Sequence, residues 1–137
     1  MVCDYEIFPE RRLVFLRLGG ECTFTQLKTA IEQLWGDGKF SHAYNGLVDL
    51  TDTKIGISSS DFHALMGFVL GQKSTPRGRW AAVSASPLVT AFAMLYQRLS
   101  RERHSFGVFS SLGPAAQFIG LSLDDDPPAV VLQLENK

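Results

Sequence analysis

Short apolar runs alternate with amphipathic helical patterns across residues 12–109, and this order restricts the chain more than any single motif. Strands separated by helices require a mostly parallel sheet reached by right-handed crossovers. The apolar runs lie at 12–18, 47–50, 80–83 and 106–109. Between the first two, Thr23 and Gln26 form a capping box, and Phe24, Leu27, Ile31 and Leu34 recur at helical spacing. Between the next two, Ser58 caps, with Asp61 three positions on and Ile57 and Phe62 as a hydrophobic staple; Phe62, Leu65, Met66, Val69 and Leu70 form the inner face. Ser86-Pro87 opens a third helix, lined by Leu88, Phe92, Leu95, Tyr96 and Leu99, since proline fits a first helical turn. Ser111 caps a fourth, ending near Gly120.

Residues 5–8 and 12–18 read as a leading hairpin turning at Pro9-Glu10. The second run is apolar on both alternating faces, which predicts a strand covered on both sides. Gly19-Gly20 ends it, and Thr51 to Ile57 reads as a loop. The expected order is β-β-α-β-α-β-α-β-α, a mixed, mostly parallel α/β sheet. Residues 1–121 form the domain and 122–137 a tail, in which Asp124, Asp125, Asp126, Pro127 and Pro128 make an acidic, proline-rich linker. Residues 129–134 read as a detached strand that pairs with a sheet edge, its own or that of a second copy in a homodimer.

With 137 residues, 45% hydrophobic and 20% charged, the chain is one globular domain. A net charge of −1 argues against nucleic acid as partner. Cys3 and Cys22 match no zinc or redox spacing, and Asp4, Glu6 and Glu10 are foreign to a signal peptide, so a cytoplasmic location is expected.

The segment Leu47-Val48-Asp49-Leu50-Thr51, followed by Ser58-Ser59-Ser60 at a helix start, resembles the signature of STAS domains. Ser86-Pro87-Leu88 and Tyr96-Gln97 are similar to a pattern of uncharacterised bacterial STAS-like proteins, and the resemblance extends over residues 4–121. It implies a STAS-like fold and a regulatory module acting through protein contacts. Ser58 aligns with the serine phosphorylated in the anti-sigma-factor antagonists of that family, which implies a phospho-switch. Ile57 and Ser60 stand where those antagonists have Asp and Gly.

His42, His63 and His104 fall in a loop, on a helix and at a strand entry, without metal-ligand spacing. No nucleophile elbow, P-loop or dinucleotide fingerprint is present. No enzyme chemistry, cofactor or metal is expected. The carboxyl ends of the strands, where open α/β sheets bind ligands, gather Asp49, Asp52, Ser58, Ser59 and Ser60, with Ser84, Ser86, Ser110 and Ser111. These serines either cap helices only or also hold a phosphate or small anion. The opposite edge collects Arg11, Arg12, Lys39, Lys73, Arg77, Arg79, Arg98, Arg101 and Arg103, nine of the thirteen basic residues. They either complement helix C-termini or form a surface for an acidic protein or an anionic membrane. His42 and His104 are expected to add charge there on mild acidification. The alternative function is a carrier or sensor of a small apolar or lipid-like ligand, with Phe62, Met66, Phe92, Met94 and Tyr96 lining a pocket between helices.

Overall fold

The computed structural model describes residues 2–55, 59–71, 76–124 and 126–136. Strands β1 (Val2–Phe8), β2 (Leu13–Cys22), β3 (Asn45–Ile55), β4 (Arg79–Val83) and β5 (Ser105–Phe109) form a mixed sheet in the order β1-β2-β3-β4-β5. β1 runs antiparallel to β2, and the β2–β3, β3–β4 and β4–β5 pairs are parallel. The helices are α1 (Phe24–Trp35), α2 (Ser59–Leu70), α3 (Pro87–Leu99), α4 (Leu112–Ile119) and α5 (Ala129–Leu132).

Right-handed crossovers between sequential neighbours all return on one side, so α1, α2 and α3 share a face of the sheet. Strand alternation then divides the core. Leu13, Phe15, Leu47, Ala81 and Val83 point to the opposite face, where they pack against Leu112, Ala115, Ala116 and Ile119 of α4 and Val131 of α5. Val14, Leu16, Leu18, Val48, Trp80 and Ala82 point to the three-helix face and meet Leu34 of α1. β2 is thus covered on both sides, as its continuous apolar run predicts. The Thr23–Gln26 capping box is formed: Thr23 Oγ1 accepts from Gln26 N–H at 3.3 Å, and Gln26 Oε1 accepts from Thr23 N–H at 3.2 Å.

Four expectations are corrected. Gly19-Gly20 does not end β2, and the segment after Leu50 is no loop: Gly19 through Cys22 pair with Asp52 through Ile55. A register shift between Arg17 and Gly19, with Gly20 at φ 80°, absorbs the irregularity and lets pairing continue. The tail is not strand-like either. Residues 129–132 are helical and lead into a 3₁₀ turn (Gln133–Asn136), and Val131 and Leu134 are buried in the domain's own core. Burying these two side chains, three residues apart, on the α4 face outweighs the β-branched preference for strand. Finally, α3 does not bury its leucines. Val89 and Ala93 face inward, whereas Leu88, Met94, Leu95 and Leu99 are exposed.

Candidate functional site

At the carboxyl ends of the strands the structure favours local bonding. Asp49 is buried, and its Oδ1 accepts from the Thr51 N–H at 2.9 Å and from the Thr51 hydroxyl at 2.6 Å. This is the usual work of an Asp at a strand end. Asp52 is exposed on the paired extension of β3, and Ser59 and Ser60 begin α2. Ser58, the serine implied as phosphorylated, lies outside the described residues. Ser86 and Ser111 stand at the N-cap positions of α3 and α4 but make no side-chain cap bond. Among the described residues no group of three or more His, Cys, Asp or Glu is placed to hold a metal ion. No helix among them is long and apolar enough to cross a membrane.

At the amino edge, topology brings the basic residues together. Arg12 precedes Leu13, which pairs with Asn45; Arg79 pairs with Ser105, two residues after Arg103. Two guanidiniums complement helix C-termini, where cations are favoured. Arg79 Nη1 donates to Phe118 O in the last turn of α4 at 3.3 Å, and Arg103 donates to Leu70 O at the end of α2. Arg11, Arg12, Arg77, Arg98 and Arg101 are exposed. Lys73 lies outside the described residues. Asn45, which no sequence pattern singles out, clips this edge: its Oδ1 accepts from Arg79 N–H at 2.9 Å and its Nδ2 donates to Ile119 O at 2.7 Å.

The concavity lies elsewhere, on the three-helix face. A partly open cavity of about 200 Å³ sits between β2–β5 and helices α1, α2 and α3. Leu16, Leu18, Val48 and Leu50 form its floor, α1 contributes Leu27 and Ile31, and α2 contributes Phe62, Leu65 and Val69. From α3 come Val89, Phe92, Ala93 and Tyr96. Of the five side chains expected to line a pocket, Phe62, Phe92 and Tyr96 do so; Met66 is buried outside it, and Met94 faces solvent. α3 presents the small side chain of Ala93 to the cavity. The cavity's Thr53 hydroxyl is satisfied, donating to Leu18 O at 2.6 Å.

One end of the cavity is aromatic and polar. Trp80 lies beside Gly46 and Phe106 in the sheet. A Cβ at position 46 would come within 2.2 Å of the indole, so the absent side chain there is what lets Trp80 lie down on β3. After α3, Ser100 accepts the backbone N–H of His104 at 2.8 Å, and this turn folds His104 back against Tyr96. The Tyr96 hydroxyl and His104 Nδ1 are 2.7 Å apart. His104 also stands edge-on to Trp80, with ring centroids 5.9 Å apart, and 5.7 Å from Phe106.

His104 is 7% exposed, which overturns the expectation of a solvated histidine that charges on mild acidification. Burial lowers its pKa to about 4, so the ring is neutral at pH 7. Burial pushes the Tyr96 phenol up to about 12, so it keeps its proton. With the Tyr96 hydroxyl assigned as the donor to Nδ1, the imidazole proton is on Nε2. Among the described residues, His104 Nε2 and Trp80 Nε1 are both buried without a partner. Each orphaned donor costs about 1–3 kcal/mol. No sequence motif signals this pair, because it arises where β4, the α3–β5 turn and α3 converge.

No family model and no curated protein matches this sequence. Among solved structures, the chain is similar to an uncharacterised protein of the DUF3478 family with a SpoIIAA-like fold, from Shewanella loihica PV-4. The two are 14% identical with a TM-score of 0.55, over 86% of this chain and 92% of that one. The fold is therefore SpoIIAA-like, and the STAS-like architecture expected from the strand at Asp49 and the helix start at Ser86-Pro87-Leu88 holds.

Proposed function

We propose that this domain is a binding module for a small apolar ligand, held between the sheet and helices α1–α3. The observation that supports it is the cavity of about 200 Å³, walled almost entirely by hydrocarbon. Interiors are close-packed, and unfilled apolar volume costs roughly 24 cal/mol per Å³. A dry cavity of about 150 Å³ is enough to take benzene, so this one has room for a ring or a short chain. The reading is preferred to a protein-contact module because two arginines of the basic edge serve helix ends.

Calorimetric titration with primary alcohols from 1-pentanol to 1-octanol tests it. Affinity should rise about fourfold per methylene until the cavity is full, the increment expected for burying a CH₂. The substitution Ala93→Leu, which places a side chain in the cavity, should abolish binding while the protein stays folded. Absence of saturable binding to the natural sequence, or equal binding to the variant, would sink the reading.

A further inference from the structure

We propose that the ligand of this cavity carries an uncharged carbonyl, whose oxygen is received by the indole N–H of Trp80 and the imidazole Nε2–H of His104. The proposal rests on the cavity being a binding site, but its own support is separate. Buried polar groups are nearly always paired, yet these two nitrogens, on two side chains that line one apolar cavity, have no partner. Both are donors. An indole N–H can only donate, and with the Tyr96 hydroxyl assigned as donor to Nδ1 the imidazole proton is on Nε2.

Two donors call for an acceptor that brings no proton of its own, which a carbonyl supplies and an alcohol does not. A carboxylate fits poorly, because among the described residues no Lys or Arg lines the cavity and His104 is neutral. An unpaired charge taken from water into hydrocarbon is strongly disfavoured. Both nitrogens are enclosed, so engagement involves a turn of the rings toward the ligand.

The test uses ¹⁵N-labelled full-length protein and two probes of equal size, 2-octanone and 2-methyl-1-octene, which differ by a carbonyl oxygen against a methylene. The ketone should move the Trp80 indole N–H resonance downfield, and the alkene should not. His104→Phe keeps the ring and removes the donor. It should weaken the ketone by about tenfold, the value of one lost hydrogen bond, and leave the alkene within about twofold. If that variant does not fold, the indole resonance of the unaltered protein decides alone. Saturable binding of both probes, with an unmoved indole, would overturn the carbonyl proposal and leave the cavity reading standing. Binding of neither would overturn both. Octanoate binding more tightly than the ketone at pH 7.5, with a larger indole shift, would overturn the uncharged character.

Discussion

The two faces of the sheet are built from the same strands and differ in how they are closed. On the α4–α5 face, Ala115 and Ala116 let α4 settle against β3, β4 and β5, and Val131 and Leu134 complete the layer. On the three-helix face, a cavity stays open between Leu16, Val48 and Trp80 of the sheet and Ala93 of α3. Small residues thus lie within the closed layer of one face and at the border of the opening in the other. One face carries the stability of the domain, and the other carries its proposed function.

The largest effect that separates the faces is the truncation of equivalent leucines. Leu47 is fully buried against α4, whereas Leu16 borders the cavity. Leu47→Ala should cost roughly 2–5 kcal/mol in urea unfolding, and Leu16→Ala distinctly less, because the cost depends on how much new void is created. Equal losses would mean that the two faces are packed alike.

Next is the acid response of the cavity end. His104 has a pKa lowered to about 4 by burial, below the value of 6.5 it regains on unfolding. Between these values the unfolded chain binds a proton that the folded one does not, so stability falls as pH drops from 6.5 to 4. The loss should reach about 3 kcal/mol at pH 4 and level off below it. His104→Phe should flatten that part of the pH profile in urea unfolding. An unchanged profile would place the histidine outside the buried cluster.

The features legible in the sequence were the local ones. Capping at Thr23 and Gln26, the order of strands and helices, and the start of α3 at Ser86-Pro87 each depend on residues close in the chain. Gly19-Gly20 misled because a glycine pair that usually stops a strand here accommodates a bulge within it. The tail misled because tertiary burial of Val131 and Leu134 overrides local preference. The outward leucines of α3 misled because apolar spacing marks a stripe without saying which stripe faces inward. The site itself was only partly legible. Phe62, Phe92 and Tyr96 sit at helical spacing, but the Gly46 that seats Trp80 and the turn that returns His104 to Tyr96 join residues distant in sequence.

The most direct measurement of the central claim is a methyl NMR titration of the full chain with 2-octanone. Shifts should be confined to the three-helix face, at Leu16, Leu18, Val48, Leu50 and Val89, and should leave Leu13, Leu47, Val83, Leu112 and Val131 unmoved. Saturable shifts on the α4–α5 face, or no saturable shift on the three-helix face, would contradict the account.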